Sequence, residues 1–214
     1  MVIGNFDGVH RGHQAVIASA VDEARSLGLA PVVLTFDPHP SVVLGKGTPS
    51  VLTTMARRVE LMERVAPTLT VVVEPFTLEL SELEPREFVD RLLLDDLGAA
   101  AVLVGQNFCF GRGRKGDIAL LCQLGKELGF RARAHELEGD ALGAFSSSRV
   151  RGALGSGDVG AAGQILGRPH SICGRVVHGN ARGAGLGFPT ANLETSEELA
   201  PRGGVYACLV DRID

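Results

Sequence analysis

Two histidines three residues apart, His10 and His13, stand in the run Gly4-Asn5-Phe6-Asp7-Gly8-Val9-His10-Arg11-Gly12-His13. At the start of a helix this spacing puts both imidazoles on one side. They then lie beside the unpaired amides and partial positive charge of the helix end. Gly8 and Gly12 let backbone and substrate approach closely. A polyphosphate suits such a site: two imidazoles can donate hydrogen bonds and help offset charge developing on a leaving pyrophosphate. The alternatives are an exposed turn and a metal pair. No further His or Cys lies nearby in sequence, which ranks the metal last.

Four more segments carry candidate chemistry. In Phe36-Asp37-Pro38-His39-Pro40 the prolines stiffen the chain, and either Asp37 or His39 faces the same crevice or the segment is only a rigid strand exit. In the run from Gly105 to Asp117, Asn107 sits just past a strand end, placed to orient a substrate. Arg112, Arg114 and Lys115 among glycines suggest a mobile basic loop suited to phosphate, or a solvated one. Phe108 and Phe110 could stack on a planar ring or pack in the core. Ser146-Ser147-Ser148-Arg149-Val150-Arg151 combines a helix cap with two arginines able to reach triphosphate oxygens. Farther on, Gly174-Arg175-Val176-Val177-His178-Gly179-Asn180 leads through Arg182-Gly183 to Leu186-Gly187-Phe188-Pro189-Thr190-Ala191-Asn192, where Thr190 and Asn192 offer oxygen ligands for a magnesium–phosphate pair.

The elements that must position these groups alternate in texture. Short β-branched runs at 2–3, 31–36, 69–73 and 101–104, and a weaker one at 131–135, read as strands. Helical spacing lies between them. Val16, Ala20, Ala24 and Leu27 form one stripe that ends at Gly28. Residues 54–65 and 117–128 form two more helices, and Ser81-Glu82-Leu83-Glu84 reads as a capping box for a helix running to Leu97. The pattern predicts an α/β fold with a mostly parallel sheet, whose ligand crevice lies beyond the carboxyl ends of the strands. Short helices at 148–155 and 159–166 follow, the second capped by Asp158. Helical periodicity then stops, and 172–178 and 205–210 read as strands. A boundary near 167–170 divides the chain into 1–168 and 169–214.

The 214 residues carry a net charge of −4, which argues against a sequence-independent nucleic-acid partner. No apolar run reaches the roughly 20 residues of a membrane span, and no secretory signal is visible. The four cysteines show no C-x-x-C pair and read as reduced thiols of a cytoplasmic protein. Glycine is over-represented at 28 residues, many of them in His- or Arg-bearing segments.

Taken together, GNFDGVHRGH, TFDPHP, VGQNFCFGRGRKGD, SSSRVR, LGRPHSICGRVVHGNARGAGLGFPTANL and GGVYA resemble the bacterial bifunctional FAD synthetases, in which riboflavin kinase is fused to FMN adenylyltransferase. The resemblance implies a Rossmann-like H-x-G-H nucleotidyltransferase domain followed by a β-barrel riboflavin kinase domain. It implies two reactions: FMN and ATP giving FAD and pyrophosphate, and riboflavin and ATP giving FMN. Both use Mg²⁺. His10, His13 and Arg151 are the expected catalytic residues. Gly4, Phe6, Asp7, Gly8, Gly12, Ser147 and Ser148 are expected at the ATP phosphates. Asp37, His39, Asn107, Phe108, Phe110 and Asp117 are expected on the flavin or substrate side. Thr190 and Asn192 would hold the kinase's magnesium and nucleotide. The serine motif reads Ser-Ser-Ser where the family commonly has Ser-Ser-Thr, which keeps a hydroxyl. The stretch is expected to start late and to stop inside the barrel, short of the glutamate base, so kinase activity is not expected of it. Small-molecule nucleotides and flavins are the expected partners of a monomer or weak oligomer. Another H-x-G-H transferase, acting on phosphopantetheine or making cytidylyl transfers, and a non-catalytic flavin- or nucleotide-binding module are the alternatives.

Overall fold

Alternation along the strands decides which layer each apolar residue joins. The computed structural model describes residues 1–47, 50–179, 187, 190–195 and 197–211. Strands β1 (Val2–Ile3), β2 (Val32–Asp37), β3 (Thr70–Pro75), β4 (Ala101–Gly105) and β5 (Arg131–His135) form one sheet in the order β3-β2-β1-β4-β5. Every pairing in it is parallel. Ile3, Leu34, Val102 and Val104 face a core with Phe88, Val89, Leu92, Leu93, Leu121 and Leu124. Val2, Val33 and Leu103 face the other way, against Val16, Ile17, Ala20, Leu61 and Met62. Both faces are therefore covered by helices, as a parallel sheet requires. These helices include α1 (Arg11–Leu27) and α3 (Met55–Val65) on one side and α6 (Ile118–Leu128) on the other; the short α2 (Pro40–Val43) follows β2.

The strand order reverses direction at β1, between β2 and β4. Such a switch point opens a crevice beyond the carboxyl ends of the central strands. The H-x-G-H segment leaves β1 there, and the segment from Gly105 leaves β4. Helix α1 ends where its stripe predicts: Gly28 takes φ +66° and its N–H returns to Ala24 and Arg25 carbonyls. Thr54 caps α3, Ser146 caps α7 (Ser147–Ser156) and Asp158 caps α8 (Val159–Leu166).

Several expectations need correction. The capping box is not at Ser81. A short helix α4 (Leu78–Glu82) is capped by Thr77. A new helix, α5 (Pro85–Glu87), then starts with Pro85 in its first turn and the Glu87 carboxylate accepting the Glu84 N–H at 3.0 Å. Proline lacks the N–H that a continuous helix would need and suits a first turn instead. Residues Phe88–Asp96 continue as a π-helix. Residues 205–210 form no strand; Val205, Leu209 and Val210 are exposed, and an apolar alternation without a partner strand gains no ladder. Strand β8 (Gly174–Val177) pairs instead with β9 (Asn192–Thr195), antiparallel. The Gly139–Asp140 and Gly143–Ala144 strands, β6 and β7, form a small hairpin the periodicity did not mark. Asn180, Arg182, Gly183, Leu186, Phe188 and Pro189 lie outside the described residues.

The Asp117 carboxylate accepts the Leu120 N–H at 2.9 Å and caps α6. Asp117→Ala should therefore lower the unfolding free energy by about 1 kcal/mol. Urea denaturation measures this, and an unchanged midpoint would show that the cap contributes nothing.

Candidate active site

The site is built where β1 hands over to α1. Leaving Ile3, the chain makes a cramped turn with Phe6 at φ +50°, Gly8 at +82° and Val9 at +41°. Only glycine takes such angles freely. For a β-branched valine the strain is of order 1–3 kcal/mol, sustained by the surrounding packing. At position 8 a Cβ would also come within 2.9 Å of the tip of the Leu52 side chain, which would have to shift.

His10 is the N-cap of α1, and its Nδ1 accepts the His13 N–H at 3.3 Å. A neutral ring that accepts at Nδ1 carries its proton on Nε2, which is left as a donor. The two rings stack with centroids 3.6 Å apart, and Phe6 meets His13 edge-on at 5.1 Å. Burial, opposed by Asp7 and helped by Arg168, lowers the His10 pKa to about 4. Burial, then the neighbouring His10 and Arg58, pushes His13 well below its ordinary value. Both rings are therefore neutral at pH 7. His13 Nδ1 is buried and has no hydrogen-bond partner among the described residues. Such an atom costs free energy until a ligand or water satisfies it.

Asp7 anchors the surroundings. Its buried carboxylate accepts from the N–H groups of Leu52 and Thr53, from the Thr53 hydroxyl, from Arg58 at 3.4 Å and from Arg151 at 2.5 Å. Arg151 Nε also donates to the Ser50 carbonyl, and Ser147 Oγ donates to the Asp7 carbonyl at 2.8 Å. His39 Nδ1 accepts the Ser41 N–H, and its Nε2 lies 3.2 Å from the Asn5 carboxamide. Arg58, Arg151 and Arg168 thus outnumber the Asp7 and Asp37 carboxylates around neutral imidazoles. That arrangement favours an anion. Two cavities of about 190 and 200 Å³ lie away from this cluster, one lined by Ala20, Leu27 and Leu97, the other by Glu74, Leu83 and Arg91.

The family model for FAD synthetase matches residues 1–149, and that for riboflavin kinase matches residues 166–214. The chain belongs to the FAD synthetase family. It is 40% identical to the bifunctional riboflavin kinase/FMN adenylyltransferase of Pseudomonas fluorescens over 98% of its length, and 35% identical to that of Escherichia coli K12 over 97%. It spans about two thirds of these relatives, 67% and 66%. A solved structure described as a macrolide-efflux protein from Streptococcus pneumoniae superposes with a TM-score of 0.86 at 31% identity, covering 96% of this chain and 67% of that one. Among the described residues no helix is long and apolar enough to cross a membrane.

The structure draws His10, His13, Gly4, Phe6, Asp7, Gly8, Gly12, His39, Ser147 and Arg151 into this neighbourhood. Phe6 is buried there, its ring against Gly4. Asp7 spends its oxygens on protein donors. Ser148 and Asp37 are exposed nearby in the chain. Asn107 is exposed in the turn after β4, Phe108 stacks on the buried Phe110, and Asp117 is a cap; these stand outside the bonded cluster. The basic loop is not free. Arg112 pairs with Glu82 at 3.1 Å and Glu84 at 3.6 Å, Lys115 pairs with Glu84, and the Arg112 N–H donates to the Leu83 carbonyl. Arg149 faces away from a phosphate role: it binds Asp140 and the Gly143 and Ala144 carbonyls. Thr190 and Asn192 are exposed, Asn192 as the first residue of β9.

Sequence reasoning did not single out Asn5, Gln14, Thr53, Arg58 or Arg168. Arg58 left a signal, because it occupies the same helical stripe as Leu61 and Met62, and a charge on an apolar stripe needs a buried partner. Thr53 left none.

The His10 shift sets a pH dependence. The unfolded chain titrates near 6.5 and the folded one at about 4, so below pH 6.5 the unfolded state binds the extra proton. Stability is full above pH 6.5 and falls as the pH drops toward 4, by about 3 kcal/mol from this group. His10→Asn keeps a capping oxygen and removes the titration. Urea unfolding across this range should be flatter in the variant, and equally steep curves would contradict the assignment.

Proposed function

We propose that this chain transfers the adenylyl group of ATP to FMN, giving FAD and pyrophosphate. The observation that carries the reading is the stacked pair of neutral histidines at the amino end of α1, in a chain of the FAD synthetase family. An FMN phosphate oxygen attacks the α-phosphorus of ATP, and the bond to the β-phosphate oxygen breaks. That nucleophile is largely ionised at pH 7, so no strong base is needed. The protein's task is to align two anions and offset their repulsion. Alignment can lower the barrier by about 7–11 kcal/mol in favourable cases. His10 Nε2–H and the His13 ring donate to phosphate oxygens, where their hydrogen bonds strengthen as charge moves to pyrophosphate. Arg151, partly exposed and held by Asp7, supplies positive charge from α7. Gly8 and Gly12 let the phosphates approach the turn.

Magnesium would be held by the phosphate oxygens of the nucleotide. Among the described residues no group of three His, Cys, Asp or Glu could hold it, and Asp7 is saturated by protein donors. Phosphate oxygens suit that ion, which neutralises charge on the triphosphate when bound. We assign the flavin to the side of Asp37, His39, Asn107 and Phe108. The segment after residue 168 is the start of a riboflavin kinase unit, with Thr190 and Asn192 at its magnesium–nucleotide site. The chain works in the cytoplasm on small molecules, as a monomer or weak oligomer, and its cysteines are free.

His13→Ala should lower kcat/KM for FAD formation by about 2–4 kcal/mol, a factor of tens to about a thousand. The assay is pyrophosphate release with Mg-ATP and FMN, run in parallel with phosphopantetheine and phosphocholine as acceptors. Near-normal turnover by the variant, or a preference for another acceptor, would overturn the reading.

A further inference from the structure

The strained turn that delivers His10 is gripped from outside the stretch matched to FAD synthetase. Arg168 Nη2 donates to the Gly8 carbonyl at 2.7 Å, and Nη1 donates to the Val9 carbonyl at 3.1 Å. Those are the last two peptide carbonyls before His10, and both follow from the positive φ angles of residues 8 and 9. Gln14 adds a bond from Nε2 to the same Val9 carbonyl at 2.8 Å and another to the Leu166 carbonyl, so the end of α8 closes over the start of α1. Arg168 lies within residues 166–214, the segment matched to riboflavin kinase. Its backbone is set between Gly167, which ends α8 at φ +70°, and Pro169.

We propose that Arg168 is a positioning residue for adenylyl transfer: contributed by the kinase-matched segment, it fixes the 8–9 peptide carbonyls and through them the direction of the His10 and His13 rings. A guanidinium suits this task because its planar fork serves two successive carbonyls at once, whereas an ammonium is a single flexible point charge. The two neutral rings have no charge-pair of their own to hold them. His10 is oriented by the backbone it caps, so the backbone must be held. Phosphate donors at a site of this kind lose rate steeply with small displacements. The stretch 1–149 matched to FAD synthetase is then catalytically incomplete without residues that follow it. The activity part of this inference rests on the adenylyl-transfer reading above.

The test compares the 214-residue chain with its Arg168→Ala and Arg168→Lys variants. Steady-state pyrophosphate release is measured with Mg-ATP and FMN, and the histidine ring signals are followed by proton–nitrogen NMR. Arg168→Ala should lose about 10- to 100-fold in kcat, with KM for ATP rising by a smaller factor than kcat falls. Its His10 and His13 ring signals should shift. Millimolar guanidinium should restore part of kcat and return the signals toward their original positions, and Arg168→Lys should fall between. Should the alanine variant fail to fold, the lysine variant carries the test by the same split of kcat from KM. A kcat within twofold of the parent, or a loss that guanidinium does not relieve and that leaves the ring signals unmoved, overturns the proposal. If the parent chain itself forms no FAD, the adenylyl-transfer reading fails, and the ring signals alone still decide whether Arg168 orients the histidines.

Discussion

A single buried carboxylate holds the site together. Asp7 accepts from Leu52, Thr53, Arg58 and Arg151, groups that arrive from an irregular strap, from α3 and from α7. A buried charge is tolerable only when paired and fully hydrogen-bonded, and here each oxygen has both amide and guanidinium donors. The consequence is geometric. Two stretches far from Asp7 in sequence, 52–58 and α7, must converge for the Asp7 charge to be satisfied, and their convergence encloses the histidine pair.

The strap at 50–54 transmits this constraint in two directions. Toward the site, its Leu52 and Thr53 amides bind Asp7, and its Ser50 carbonyl receives Arg151. Away from the site, the Thr54 N–H donates to the buried Glu198 carboxylate, which also accepts the Cys173 N–H at 2.6 Å, and the Leu199 N–H donates to the Val51 carbonyl. The Arg202 N–H reaches the Leu154 carbonyl of α7. The histidine-bearing turn and the trailing segment therefore share one strap, and a disturbance at either face is felt by the same five residues. Arg168 makes the second link, gripping the turn directly.

The parts of this arrangement that could be read from sequence are those governed by local period. Strands β1, β2, β4 and β5 are short runs of alternating or continuous apolar residues between helical stripes, and the parallel sheet follows from their alternation with helices. The histidine pair was legible because both members sit within one turn of one helix. What escaped depends on contacts between distant segments. Arg168 reads locally as part of a helix stop, since nothing in Gly-Arg-Pro says that its guanidinium will meet carbonyls some 160 positions away. Asp7 reads as a phosphate-loop residue, although its partners at 52, 53, 58 and 151 appear only on folding. The run at 205–210 has the composition of a strand without a partner to pair with among the described residues.

The distribution of charge explains how an acidic chain could offer the anion site proposed above and why its histidines are neutral there. Two imidazolium ions with centroids 3.6 Å apart would repel strongly in a desolvated turn. Burial above all keeps both rings uncharged, helped at His13 by His10 and Arg58 and at His10 by Arg168. Charge compensation falls instead to guanidinium groups, which stay ionised even when partly buried; Arg168, whose pKa burial lowers to about 10, is still a cation at pH 7. The two functions are thus separated. On the adenylyl-transfer reading, arginines set the positive field, and neutral rings provide directed N–H donors that need no desolvation of a second cation when phosphate arrives.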